Sequence, residues 1–259
     1  MTNVSQHSND IDDTVATADP AAGWRIRLAT AADAAQIAGF YRYYVEHTSI
    51  NFEYEVPDAA EFRRRIGEIL PDLPWLVAVE PAPDGSEDGE RILGYLFAEP
   101  VSPRGAYAWS VKSSIYLDPQ VRGRGIGSAL YARLESILTA QHYVNLYAII
   151  TVTADDDLAD ITSPDAAAGR LVWGADGLAP QAGTGDGSQD YRPDPHLPRT
   201  SPRFHHKLGF SVIGREVGSG YKFGTWYDKL LMQKKLTAPD APVEPILPLS
   251  ALDAAAYLN

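Results

Sequence analysis

Val121-Arg122-Gly123-Arg124-Gly125-Ile126-Gly127-Ser128-Ala129-Leu130 is the stretch on which the fold of this chain turns. Before it, Ser114-Ile115-Tyr116-Leu117 has the character of a strand. After it, from about Gly127 to Leu138, apolar residues recur at helical spacing. A strand that feeds a glycine-rich turn and then a helix is a device for holding phosphate. The glycines let the backbone come close, and the N–H groups and dipole of the helix start both favour negative charge. Arg122 and Arg124 place cationic donors in the same turn.

Composition narrows what that phosphate belongs to. The 259 residues are enough for one decorated domain or two small ones, and a hydrophobic content of 45% suits a chain with a real core. The formal charge of -12 argues against the extended basic face of a nucleic-acid binder, so no nucleic-acid partner is expected. The arginines of the turn are local, which suits a small anionic ligand. No apolar run is long enough to span a membrane, and the polar, acidic start lacks the basic-then-apolar order of a signal peptide. A cytoplasmic protein without a membrane partner is therefore expected. Cysteine is absent, which removes disulfides, thiolate zinc sites and a cysteine nucleophile, and no metal is expected.

Along the chain, residues 1–22 are rich in Asp, Ser, Thr, Asn and Ala and are expected to be a disordered tail. A single domain is expected over 23–237. A strand is expected at 24–28, and Thr30 with Asp33 resembles an N-cap before a helix over about 34–45. Asp58 with Glu61 opens a second helix reaching Leu70. Strands follow at 75–79, 92–98 and about 107–117, then the glycine turn and its helix, then a strand at 144–151. From 153 to 200 the chain is a loop-rich insertion with one apolar patch, Leu171-Val172-Trp173. Beyond it come a short helix at 201–208, a strand at 210–215 and a last strand at 225–235. Residues 238–259 form an extended Pro-rich tail with a last helical turn after Leu249. Helices interleave with strands, so the class is α/β with a mixed sheet.

Three phosphate-binding patterns compete for the glycine turn. A Walker A loop needs a lysine after the glycines, and none is present. A dinucleotide fingerprint would put Ser128 where its third glycine belongs. Arg/Gln-x-x-Gly-x-Gly/Ala is matched by Arg122, Gly125 and Gly127, and this resembles the acyl-CoA pyrophosphate loop of the GNAT N-acetyltransferases.

The resemblance extends to one branch of that family. From Ile26 to about Pro248 the chain is similar to the phosphinothricin and methionine sulfoximine N-acetyltransferases. The matching segments include Thr48-Ser49-Ile50-Asn51-Phe52, Pro74-Trp75-Leu76-Val77-Ala78, Arg104-Gly105-Ala106-Tyr107, His205-His206-Lys207-Leu208-Gly209-Phe210 and Tyr221-Lys222-Phe223-Gly224-Thr225-Trp226-Tyr227-Asp228. The resemblance implies a GNAT fold, a mixed central sheet flanked by helices with the long insertion before the last two strands. It implies transfer of acetyl from acetyl-CoA to the primary amine of a small amino-acid-like molecule. Ile115, Tyr116 and Leu117 would pair with the pantetheine arm, and Arg122, Gly123, Arg124, Gly125, Ile126, Gly127 and Ser128 would hold the pyrophosphate. It also implies a homodimer. His205 falls on the family's histidine and is expected to be catalytic, with His206 facing solvent.

Two positions depart from the family. Its central-strand glutamate is replaced by Lys112, and its asparagine before the late helix by Pro198. A protonated lysine has no lone pair to accept an ammonium proton. Three readings are open: a local register difference that turns Lys112 away, deprotonation by His205 and water, or Lys112 binding an anionic group of a different substrate. Lys112 also motivates a rival from another class, a catalytically idle acyl-CoA-binding module; acetylation of proteins is a third reading. The acceptor pocket is expected to include Phe52, Tyr54, Arg104, Tyr107, Lys112, His205, Lys222, Phe223 and Trp226. Set against that, Phe52 and Trp226 are equally ordinary core residues, and Arg104 and Lys222 surface charges.

Overall fold

The computed structural model describes residues 23–83, 89–121, 123–154, 156, 194–197, 200–238 and 241–258. The tail over 1–22, Arg122, the Leu171-Val172-Trp173 patch with most of the insertion, and Pro198 lie outside the described residues.

In chain order the elements are β1 (Arg25–Leu28), α1 (Ala34–His47), α2 (Ala59–Ile69), β2 (Trp75–Pro81), β3 (Glu90–Pro100), β4 (Ser110–Leu117), α3 (Ile126–Ala140), β5 (Asn145–Val152), α4 (Thr200–Lys207), β6 (Ser211–Lys222) and β7 (Thr225–Lys235). The strands form one seven-stranded sheet in the order β1-β2-β3-β4-β5-β7-β6. Neighbours are antiparallel except β4 and β5, which run parallel. The parallel pair is joined through α3, as a crossover between parallel strands requires.

Local chemistry sets the helix starts. The Asp33 carboxylate accepts from the Thr30 N–H at 2.6 Å and from both terminal nitrogens of Arg27 at 2.8 Å, fixing the turn that leads into α1. Asp58 caps α2 by accepting from the Glu61 N–H at 2.8 Å. In α3, Ile126, Ala129, Leu130, Leu134, Ile137 and Leu138 are buried, a stripe at helical spacing. That stripe packs on one face of the sheet with Leu96, Val111, Leu146 and Met232. The other face is covered over β1–β3 by α1 and α2, through Ile37, Tyr41, Phe62 and Ile66 against Trp75, Val77 and Tyr95. Burying a side chain of this size contributes about 1.5–3 kcal/mol.

Two strands differ from expectation. β4 begins at Ser110 and not near Tyr107, because Gly105–Tyr107 is a single 3-10 turn. β6 runs to Lys222, well past Arg215, held by β7 with register shifts at its irregular stretches. The segment over 241–258 packs on the domain: Leu249 is buried, Gln141 Nε2 donates to the Asp72 and Leu247 carbonyls at 2.7 and 2.9 Å, and Trp109 Nε1 donates to the Glu244 carbonyl at 2.7 Å. Among the described residues no helix is long and apolar enough to cross a membrane.

Candidate active site

The parallel pairing of β4 with β5 stops at Ser113 and Ala148. Beyond that point β4 stays bound to β3 as far as Leu117, and β5 to β7 as far as Val152. The two middle strands therefore part, and their facing edges over 114–117 and 149–152 have no strand between them. A cavity fills the fork. Its walls include Ile115 and Tyr116 from β4, Ile149 and Thr151 from β5, and Ser113 and His205 at its polar end.

At the open end of β4 the chain enters the glycine turn. A second concavity there is lined by Leu117, Gly123, Arg124, Gly125, Ile126, Gly127, Ser128 and Phe204. Gly123 and Gly125 have φ of 69° and 71°, a region costly for any residue with a Cβ. Gly125 is the N-cap of the 15-residue α3, so the unpaired N–H groups of that helix start open into the concavity. A Cβ on Gly127 would sit 3.0 Å from the Phe204 ring. The Arg124 guanidinium bonds Glu80 Oε2 at 2.8 Å.

His205 is buried on α4, in edge contact with Tyr131 and Phe210. Its Nδ1 lies 2.8 Å from the Ser201 carbonyl and must carry the proton there. In the neutral ring Nε2 is then an acceptor, 2.8 Å from Tyr131 Oη. Tyr131 in turn lies 3.0 Å from Ser113 Oγ. The three side chains form one hydrogen-bonded row from the point where the strands part to a buried imidazole. Burial lowers the His205 pKa to about 4, against the opposing Ser201 bond, and burial raises that of Tyr131. Ser113 and Tyr131 were not foreseen in the sequence. Their one signal there is a phenol at a core position of α3, whose hydroxyl needs a partner.

On the α1 side of the fork, Tyr116 stacks edge-on with Tyr41 and Tyr44 at 4.8 and 5.1 Å. Burial pushes its pKa up to about 12, against hydrogen bonds with Tyr41 and Asn51. Lys222 is no surface charge: it is 3% exposed and its Nζ donates to the Asn51 carbonyl and Oδ1 at 3.1 and 3.3 Å. Its pKa is lowered by burial, with Glu53 opposing. Phe52 is half-buried, its ring packed where a Cβ on Gly220 would stand. Trp226 is 62% exposed and contacts Tyr221, so it is no core residue. Tyr54 is also exposed and bonds the Tyr221 carbonyl. Phe223 stacks on His196 at 4.0 Å and lies under the Lys222 ammonium. Arg104 and Tyr107 are exposed around the turn before β4 and line neither cavity. His206 is half-buried, not solvent-facing, and Lys112 pairs with Glu99 at 3.2 Å.

The two ends of the insertion are held by the β6–β7 hairpin. Arg215 and Asp228 form a buried ion pair at 2.6 Å, and Arg215 also donates to the Thr153 and Asp156 carbonyls at 2.6 and 3.2 Å. Tyr227 Oη donates to Asp194 at 2.7 Å. Leu197, just after that anchor, reaches the wall of the fork.

Residues 26–231 match the family described as Acetyltransferase (GNAT) domain. An N-acetyltransferase of Streptomyces griseus is 37% identical over 223 residues, spanning 85% of this chain and 88% of that protein. A phosphinothricin N-acetyltransferase of Streptomyces viridochromogenes is 27% identical, spanning 85% and 93%. Among solved structures, the phosphinothricin acetyltransferase of Sinorhizobium meliloti in complex with AcCoA superposes with a TM-score of 0.61 at 27% identity, covering 88% of this chain and 97% of that one.

Proposed function

Because this chain belongs to the GNAT acetyltransferase family, we propose that it moves an acetyl group from acetyl-CoA to the primary amine of a small amino-acid-like acceptor, of the phosphinothricin or methionine sulfoximine kind. The observation that carries this is the parting of β4 and β5 immediately ahead of a glycine turn that caps a helix. The residues fit acetyl-CoA. The backbone of Ile115, Tyr116 and Leu117 offers the pantetheine arm an edge without a neighbouring strand, the Leu117 carbonyl there accepting from Tyr44 Oη. The turn from Gly123 to Ser128 offers helix-start N–H groups to the pyrophosphate. Bound there, acetyl-CoA supplies the acyl group as a thioester.

The chain's own part is to orient the amine and move its proton. Both ring nitrogens of His205 are engaged by protein atoms, so it acts through its neighbours. The proton leaving the amine passes to Ser113 Oγ as Ser113 gives its own to Tyr131 Oη and Tyr131 gives its own to His205 Nε2. The resulting imidazolium has both N–H groups partnered, by Ser201 and Tyr131. Its low pKa keeps the proton there only briefly, and the reverse passage delivers it to the departing thiolate. Phe52, Tyr54, Arg104, Tyr107, Lys222, Phe223 and Trp226 shape the acceptor side in this reading. The reading also includes a cytoplasmic homodimer, by family resemblance.

Incubating the full chain with acetyl-CoA and phosphinothricin, methionine sulfoximine and other primary amines, while following thiol release, tests the proposal; release above the rate without amine is expected. Tight CoA binding without turnover of any amine sinks it. Lys112 favours a second reading, an idle acyl-CoA-binding module. Activity that appears only in Lys112→Glu supports that reading, and activity lost in the same variant removes it.

A further inference from the structure

The cavity in the fork has a volume of about 60 Å³. Ser113, Ser201 and His205 give it polar groups, and Ile50, Ile115 and Leu197 stand among its apolar walls. Among the described residues no Asp, Glu, Lys or Arg lines it. The His205 ring is neutral there, because burial lowers its pKa to about 4. The charged parts of an amino-acid-like acceptor would be buried in this space without a counter-charge, at high cost. An uncharged acyl group would not. On the acetyl-transfer reading the pantetheine arm runs along the β4 edge from the glycine turn. The acyl group is then the leading end of the cosubstrate and enters the cavity first. A dry cavity of about 150 Å³ holds a six-carbon ring, so this one has room for about two or three carbons.

Leu197 is the wall that the insertion supplies. It is buried, at the end of a limb fastened to three other parts of the domain. The Asp194 carboxylate accepts from Tyr227 Oη at 2.7 Å, and the His196 carbonyl accepts from the Ser49 N–H at 3.0 Å. The His196 ring stacks on Phe223 at 4.0 Å, with its Nδ1 3.1 Å from the His47 carbonyl. A wall held this way does not step back from a larger guest without losing those contacts. We infer that Leu197 sets the length of the acyl group that this chain transfers. Acetyl fits, propionyl fills the space, and longer straight chains meet the Leu197 side chain. The inference rests on the acetyl-transfer reading and adds a selector that lies in the insertion, outside the strands and the glycine turn. Leu197 neither gives nor takes a proton; its action is steric. It borders the same small space as Ser113 and His205, so the selection is made where the amine loses its proton.

The test follows thiol release from acetyl-, propionyl-, butyryl- and hexanoyl-CoA by the full chain, with L-methionine sulfoximine as acceptor. In the unaltered chain kcat/KM for butyryl-CoA is expected to lie at least about tenfold below that for acetyl-CoA. Leu197→Ala cuts the wall back and is expected to bring the two within about threefold. Leu197→Val is expected to move the ratio part of the way. The ratio is taken within each variant, so a loss of folded protein lowers both rates together and leaves it unchanged. A ratio near one in the unaltered chain, or one that both variants leave in place, overturns the inference. If no thioester is turned over, the transfer reading fails for this acceptor, and calorimetric titration with acetyl-CoA and butyryl-CoA decides on Leu197. Tighter binding of acetyl-CoA that Leu197→Ala equalises supports the inference. Equal binding by the unaltered chain, or no binding of either, overturns it.

Discussion

His205 is held at both ring nitrogens in a pocket that disfavours its charge, and this has a consequence for stability. Its pKa falls from 6.5 to about 4 on folding. Between those values the unfolded chain binds a proton that the folded chain does not. The contribution is therefore complete above about pH 6.5 and is lost as the pH falls toward 4. It amounts to about 3 kcal/mol. Urea midpoints at pH 7, 5.5 and 4.5 should fall less steeply for His205→Gln than for the unaltered chain; parallel slopes would place the lost stability on other groups. At the next residue of the row, Tyr131→Phe keeps the ring and removes the hydroxyl. A drop in kcat of about 100-fold with a steady KM for acetyl-CoA is expected from steady-state kinetics. Unchanged kcat would remove the row from the proton path.

At the scale of elements, the glycine turn works by backbone shape. Gly125 sits at φ 71° as the N-cap of α3, so Gly125→Ala forces a Cβ into the left-handed region at a cost of about 1–2 kcal/mol. A lower melting temperature together with a raised KM for acetyl-CoA is expected. A shift in melting alone would separate the turn from the cosubstrate. This turn was legible in the sequence because its signal is local: a strand, glycines at fixed spacing and an amphipathic helix. The helix starts at Asp33 and Asp58 were legible for the same reason. β6 past Arg215 was not, since Gly218, Ser219 and Gly220 carry no strand preference and the pairing with β7 supplies the order. The Glu99–Lys112 pair was hidden for a related cause. Glu99 looks like an ordinary charge on a strand end, and only the register of β3 against β4 sets it beside Lys112. Ser113, Tyr131 and His205 likewise come from a strand and two helices that only the fold brings together.

At the scale of the whole molecule, the β6–β7 hairpin joins the rest of the sheet through the pairing of β5 with β7, over Asn145–Val152 and Asp228–Lys235. The buried Arg215–Asp228 pair holds the exit of β5 beside that seam. Asp228→Asn leaves Arg215 buried without its counter-charge and is expected to cost about 3–5 kcal/mol by chemical denaturation. A cost under about 1 kcal/mol would show that the carbonyls of Thr153 and Asp156 compensate Arg215 alone.

The stitches at Arg215 and Tyr227 hold both flanks of the insertion on the β6–β7 hairpin by themselves. The Asp156 carbonyl is fastened to Arg215 on β6 and the Asp194 carboxylate to Tyr227 on the adjoining β7, so a chain severed between them is expected to become two polypeptides with a shared interior. Among the described residues, one carries β1–β5 with α1, α2 and α3; the other carries α4, the closing hairpin and the segment that clasps Gln141. Co-expressed as separate pieces, they should purify together through a tag on either one, and on the acetyl-transfer proposal acetyl-CoA should tighten their complementation, because both cavities draw lining residues from both pieces.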